Sequence, residues 1–319
     1  MLTVLVALVA NALIAVAKTV AAAITGSASM VAEAAHSWAD TGNEIALVLA
    51  ERRGSRPRDA SHPRGYGRAT YFWSLIAAFG LFLAGSVVSL WHGGAQLWDE
   101  FRGQGATEDP EYLINYIVLA VAFVLEGTSF LQASREVRSE AARFHLHPLR
   151  FVRTTSDSTL RAVFFEDASA LVGLLLAALG IGLHELTSDA VWDALGSVAI
   201  GLLLGAVAMF LISRNVDYLL GEGVGPDVQD AVAASVLSRP EVQRLTYLHL
   251  EIVGPQRMFM VAAVDLVGDD PEHDVARRLR LLEAELETEP MIEDAVLTLS
   301  APDESDIVPR PGGPVSDAG

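Results

Sequence analysis

Six apolar runs set the frame of the chain. Stretches 2–23, 29–50, 71–91, 112–133, 160–183 and 189–213 each have the roughly 20 residues that a helix needs to cross about 30 Å of hydrocarbon. Residues 1–213 are therefore expected to form an all-α, six-helix transmembrane bundle. Past Arg214 the pattern changes. A helical period over 226–237 is followed by strand-like "LTYLHLEIV", a turn at Gly254 and Pro255, and strand-like "MFMVAAVDLV". A second helical period over 271–289 and "DAVLTLS" complete an α-β-β-α-β order. Residues 214–300 are expected to be a small α+β, ferredoxin-like cytoplasmic domain, and the Pro/Gly/Asp-rich stretch 301–319 a disordered tail.

Composition agrees with two regions of different character. Mean hydropathy is +0.36 with 51% hydrophobic residues, too apolar for an ordinary soluble domain, yet the formal net charge is −18. No basic segment precedes the first run and no A-x-A cleavage site follows it, so it is expected to be a retained helix. Cysteine is absent, which removes disulfides, thiolate ligands and Cys nucleophiles together. Arginines gather between the second and third runs (Arg52, Arg53, Arg56, Arg58, Arg64, Arg68) and between the fourth and fifth (Arg135, Arg138, Arg143, Arg150, Arg153). By the positive-inside rule these loops, and with them both termini, face the cytoplasm. The loop between the third and fourth runs carries Asp99, Glu100, Glu108, Asp109 and Glu111 and is expected outside.

Polar residues interrupt the second run in "AEAAHSWADTGN". On a helix, residues three and four apart share a face, so Glu33, His36, Asp40 and Asn43 form one stripe, with an imidazole and a carboxylate one turn apart. A charge at the bilayer centre costs roughly 2.5–3.5 kcal/mol on insertion scales, so such groups face a bundle interior and mark an ion or proton path. Hydrogen bonds that merely join helices are the plainer alternative; the His/Asp pair favours ligation. Further acids lie within the fifth run, Glu166 and Asp167, and within the fourth, Glu126. Adjacent helical residues point about 100° apart, so Glu166 and Asp167 cannot both aim at one point. Asn11 and Lys18 share a face of the first run; Lys18 is either a counter-charge in the bundle or a residue that snorkels to the interface. Small residues recur every fourth position at Ser169, Gly173 and Ala177, and at Ser197, Gly201 and Gly205, which lets helices approach closely.

Together "HSWADTGN", "HPRGYGRATYFWSL" leading into the third run and "EDASALVG" in the fifth resemble the cation diffusion facilitators. The resemblance covers nearly the whole chain and implies a secondary transporter, not an enzyme, that exports a divalent metal in exchange for protons. It implies no cofactor, a homodimer in the inner (plasma) membrane, and a tetrahedral site between the second and fifth spans with His36, Asp40 and Asp167 as ligands. Zinc carriers of the family usually repeat His-x-x-x-Asp in the fifth span, but Val163 stands four residues before Asp167 and Ala162 four before Glu166. Glu166, Asn43 or a water must complete the shell, and Glu166 is favoured. One imidazole among oxygen donors suits Zn²⁺ first, with Fe²⁺ or Co²⁺ next.

Outside the membrane, the resemblance places a loop metal site at Asp59 and His62, weakened because Tyr66 stands in place of a histidine. In the tail, His249, Asp269, Asp270, Glu272, His273 and Asp274 could bind metal. Ala263 and Leu299 lie at or near positions where histidines are called for, which favours a solvated acidic surface. The resemblance also pairs Arg68 with an acid after the sixth span, for which Glu222 is the nearest candidate. The chain has no Walker motif, no basic patch for nucleic acid and no H-E-x-x-H. An intramembrane metallohydrolase and a non-transporting metal sensor are the alternatives.

Overall fold

The computed structural model describes residues 2–103, 112–143 and 146–310, with backbone alone for residues 2–7 and 10. Glu108, Asp109 and Glu111, and residues 311–319 of the expected tail, lie outside the described residues. The chain divides into two compact units: Met1–Glu51, Phe72–Ala142 and Leu146–Val216 form the first, and Arg52–Tyr71, Arg143–His145 and Asp217–Gly319 the second.

The first unit is helical: α1 (Leu2–Thr25), α2 (Ala28–Gly54), α3 (Arg68–Gly80), α4 (Val88–Phe101), α5 (Tyr112–Arg143), the short α6 (Pro148–Thr154), α7 (Ser158–Thr187) and α8 (Val191–Leu219). A π-helical stretch, Leu81–Val87, joins α3 to α4 without a break. Among the described residues four helices are long and apolar enough to cross a membrane: Arg68–Phe101, Tyr112–Arg143, Ser158–Thr187 and Val191–Leu219. α1 contributes a shorter apolar helix, Asn11–Thr25, and α2 is kept outside this group by its polar stripe.

Burial in this unit is inverted relative to a water-soluble protein. Leu13, Val16, Val20 and Ile24 form an exposed apolar row on α1, and Leu113, Ile117, Val121 and Val124 form another on α5, while Lys18, Glu33, His36, Asn43, Arg161 and Asp193 are buried. Polar atoms inside and aliphatic rows outside are what a hydrocarbon solvent selects.

The small-residue stripes sit where helices touch. A Cβ at Gly201 would come within 2.8 Å of Leu90, one at Gly205 within 2.8 Å of Ser86, and one at Gly173 within 2.5 Å of the Glu33 carboxylate. One turn before Gly201, Ser197 donates to the Ser89 carbonyl at 3.0 Å. The start of α2 is fixed by Asp193 of α8. Its carboxylate accepts from the Ala28 N–H at 2.6 Å, the Ser29 N–H at 3.3 Å and the Ser27 hydroxyl at 2.9 Å. An anion there also opposes the positive end of the helix dipole.

The second unit contains α9 (Pro226–Leu237), β1 (Val242–Gly254), β2 (Arg257–Leu266), α10 (Glu272–Leu286) and β3 (Ile292–Leu299). This is the α-β-β-α-β order read from the sequence. The strands lie in the order β1-β2-β3; β1 and β2 are an antiparallel hairpin and β2 and β3 are parallel. Gln256, at φ 54, makes the left-handed turn residue of the hairpin. Leu245, Met260, Ala262 and Val264 of the sheet pack with Val236, Leu282 and Leu286 of the two helices.

Residues 301–310, the first part of the stretch expected to be a disordered tail, run without helix or strand but touch the second unit. The Ile307 N–H donates to the Leu245 carbonyl at 2.7 Å, Ile307 packs on the core, and Arg310 pairs with Asp230 at 2.9 Å. The segment thus covers one carbonyl on the edge of β1.

The arginine-rich segment 52–71 also belongs to this unit. Arg58 bonds Glu287 at 2.9 Å and Asp294 at 3.0 Å, Arg64 bonds Glu251 at 3.2 Å, and Arg68 pairs with the same Glu251. Gly67 is required by close approach, since a Cβ there would lie 2.5 Å from the Val253 carbonyl oxygen.

Candidate functional site

The polar stripe of α2 forms as its spacing predicts. His36 Nδ1 lies 3.5 Å from Asp40 Oδ1, His36 is fully buried, and Asp40 is 16% exposed. One turn further, the Asn43 side-chain amide donates to the Glu166 carboxylate of α7, with both residues buried. At the start of the stripe Glu33 accepts from Lys18 of α1 at 2.9 Å, both fully buried. This settles the two readings of Lys18: it is a counter-charge inside the bundle.

Glu166 and Asp167 diverge, as adjacent positions on a helix must. Glu166 turns toward α2, whereas Asp167 accepts from the Ser129 hydroxyl of α5 at 2.7 Å. The resemblance puts Asp167 first among the α7 acids, with Glu166 favoured to complete the shell; in the structure it is Glu166 that bonds to the stripe. Among the described residues, no three His, Asp or Glu side chains converge closely enough to hold a metal ion.

Acceptors without donors crowd this region. Both ring nitrogens of His36, Asp40 Oδ1, Asn43 Oδ1, Glu44 Oε2 and Glu166 Oε1 are buried without a hydrogen-bond partner. An unsatisfied buried polar atom costs about 1–3 kcal/mol. Apart from one protonated imidazole nitrogen, all of them are lone-pair acceptors, the donor chemistry that a cation or added protons would relieve. His, carboxylate and amide oxygen donors fit a borderline divalent ion such as Zn²⁺.

Glu44 escaped the sequence reading. It lies four residues after Asp40, on the same face of α2, and accepts from Asn11 of α1 at 2.6 Å. Asn11 and Lys18, seven apart on α1, thus reach opposite ends of the α2 stripe. Ser129 and Asp193 were also missed. An isolated serine carries no signal, and an acid at the edge of an apolar run looks like an interface charge.

The extramembrane candidates are occupied otherwise. Asp59 accepts from the Ser61 hydroxyl at 2.7 Å, the Tyr66 hydroxyl at 2.8 Å and the His62 N–H at 2.8 Å, and the His62 ring stacks on Tyr66 at 4.0 Å. These bonds, the Ser61 one first, hold the Asp59 carboxyl well below its ordinary range. In the tail, Asp270 is bound to Arg278 at 2.6 Å, and His273, beside Asp274 at 3.3 Å, is 80% exposed. Arg68 pairs with Glu251, an acid in β1 that the sequence reading had not singled out.

Comparison with known proteins agrees with the resemblance read from the motifs. The model of the cation efflux transmembrane domain matches residues 4–220. The chain is 35% identical over 266 residues to the "Proton-coupled zinc antiporter SLC30A9, mitochondrial" of Xenopus laevis, covering 83% of this chain and 46% of that protein. It is 31% identical over 239 residues to "Metal tolerance protein C4" of Arabidopsis thaliana, covering 75% of this chain and 51% of that one. The "Cation-efflux pump FieF" of Shewanella oneidensis is 28% identical over 249 residues, 77% of this chain and 75% of its own length. The chain thus spans about half the length of the first two relatives. A family match across the whole helical unit, over a buried His/Asp/Glu stripe, places the chain in the cation diffusion facilitator family.

Proposed function

We propose that this chain is a divalent-cation efflux carrier, for zinc first and for Fe²⁺ or Co²⁺ next, that exchanges metal for protons. The observation that carries this reading is the set of orphaned acceptors on His36, Asp40, Asn43 and Glu166. The relative named as a proton-coupled zinc antiporter supports the choice of ion and counter-ion.

Donor set and exchange follow from one chemistry. An imidazole binds metal only when its nitrogen has shed its proton, and a carboxylate only when ionised, so metal and protons compete for the same atoms. Alternating access to the two sides would then let inward protons displace metal outward without a nucleotide. His36 and Asp40 supply the α2 ligands, Glu166 the nearest α7 acid, and Asn43 an amide oxygen. Asp167 joins the site in the state that releases it from Ser129.

Four further readings belong to this proposal. α1 and α2 complete a set of six spans, counting Arg68–Phe101 as one. The second unit is a ferredoxin-like module without its first strand, because an antiparallel hairpin with a parallel third strand is what that arrangement then keeps. The three-stranded sheet leaves an edge and a face for a partner, which favours a homodimer. The arginine-rich segments support cytoplasmic termini for a chain read as a plasma-membrane carrier.

The test is flux in proteoliposomes with an imposed pH gradient. Zn²⁺, Fe²⁺ or Co²⁺ movement should follow the gradient and reverse with it. Metal binding with no flux under either gradient would leave a sensor instead.

A further inference from the structure

A buried charge pair flanks the candidate site without supplying one of its ligands. Lys18 Nζ lies 2.9 Å from Glu33 Oε2, and neither side chain is exposed. Lys18 is the chain's one lysine. Glu33 stands one turn before His36 on the same face of α2, and its second oxygen has no hydrogen-bond partner and would lie 2.5 Å from a Cβ on Gly173. At the other end of the stripe the neutral amide of Asn11 on α1 bonds Glu44 at 2.6 Å. A full positive charge therefore stands at one end of the ligand stripe and an uncharged donor at the other.

Packing gives a poor reason for such a pair. Two charges taken out of water lose solvation that their attraction barely offsets, and apolar residues of similar volume commonly do as well. A reason lies in what a carrier needs, which is binding firm enough to capture an ion and weak enough to release it. Glu33 holds Lys18 three residues before His36 and seven before Asp40 on the same helix, so both charges stand within about two helical turns of the ligand pair. Charges near the site but outside its ligand shell adjust affinity without changing the donor set.

We infer that Lys18 and Glu33 are positioning residues whose fixed opposite charges set the cation affinity of the His36/Asp40 site, Lys18 lowering it and Glu33 raising it. The inference rests on the reading of His36 and Asp40 as the cation site. Its signature is a pair of single substitutions with effects of opposite sign that cancel when combined.

The experiment uses the full chain in nanodiscs, with Zn²⁺ as the probe in equilibrium titration and the same variants in proteoliposome flux. Lys18→Gln should bind Zn²⁺ about tenfold more tightly and turn over more slowly at saturation, and Glu33→Gln should bind about tenfold more weakly. The combined variant and Lys18→Arg should return close to the wild-type affinity. A pair that only packs would shift both singles the same way or neither, and either result overturns the inference. Should Lys18→Gln fail to insert, the comparison moves to Glu33→Gln against the double variant, which should bind more tightly; equal affinities overturn it. His36→Ala serves as the control. Unchanged binding in that variant refutes the cation site itself, whereas lost binding without opposite signs at Lys18 and Glu33 refutes only the charge pair.

Discussion

The Asn43 amide donates to the Glu166 carboxylate, and this single bond carries the polar stripe of α2 across to α7. It leaves Asn43 Oδ1 and Glu166 Oε1 buried without partners, as are the ring nitrogens of His36 and Asp40 Oδ1 earlier on the stripe. A cation reaching this point would meet donors from both helices.

His36→Ala and Asp40→Ala should each abolish metal-dependent flux while the protein still inserts and folds. Both remove ligand lone pairs from a pair in which Asp40 is partly open at 16% exposure. Full zinc or iron flux in both variants would end the assignment.

Glu166 and Asp167 should separate in the same assay. Glu166 meets α2 and Asp167 is held by Ser129, so Glu166→Gln should remove most transport and Asp167→Asn should reduce it less. The reverse order of severity would show that Asp167 is the principal α7 ligand and that its bond to Ser129 is broken when metal binds.

Asp193→Ala should destabilise the helical unit by about 3 kcal/mol, because a charged acceptor for two backbone N–H groups and a hydroxyl is lost at a buried helix start. Asp193→Asn, which keeps an acceptor oxygen, should lose less. Unfolding in mixed micelles reads the difference, and equal midpoints for Asp193→Ala and wild type would refute the capping role.

Asp59 offers a pH test outside the membrane. Its carboxyl is held below the ordinary value of 3.8 by the Ser61, Tyr66 and His62 bonds, so the ordering that it gives the loop is present above that value and is lost as the pH falls through its lower folded value. Tyr66→Phe removes one of those bonds and should move the Asp59 titration upward, toward 3.8, in an NMR measurement. An unmoved titration would show that Tyr66 contributes nothing.

Cutting the chain after Gly225 removes Glu251, Glu287 and Asp294, the partners of Arg58, Arg64 and Arg68. The spans should still fold and His36 and Asp40 still bind metal, but flux should fall and the dimer weaken. Glu251→Gln should reproduce part of the flux loss in the full chain. Wild-type rates from a strictly monomeric truncation would refute a role for the second unit in transport.

The α2 stripe was legible because residues three and four apart must share a face, whatever surrounds them. The small-residue rows at Gly173, Gly201 and Gly205 were legible for the same reason, and the order of the tail followed from its alternating periods. What was not legible depended on partners far away in the chain. Nothing near Glu166 and Asp167 says which one faces α2, and Glu44 matters only because Asn11 happens to lie opposite. Lys18 kept two readings until Glu33 was found beside it. The arginines of 52–71 read as a topology signal, but Arg58, Arg64 and Arg68 are also spent on acids of the second unit.

The π-helical stretch Leu81–Val87 alters how the following half of its helix must be numbered. Wider turns hold more residues than α-turns, so a face counted in threes and fours from Tyr71 loses phase there, and counting has to begin again at Val88. Gly93 rests on the Ala194 carbonyl, and Leu90 on Gly201, only in the shifted phase. Removing a single residue from this stretch would turn α4 by about 100° about its axis and present bulky side chains to α8. Insertions and deletions here therefore act as rotations, and homologues that differ by one residue in this stretch should be aligned separately on either side of it.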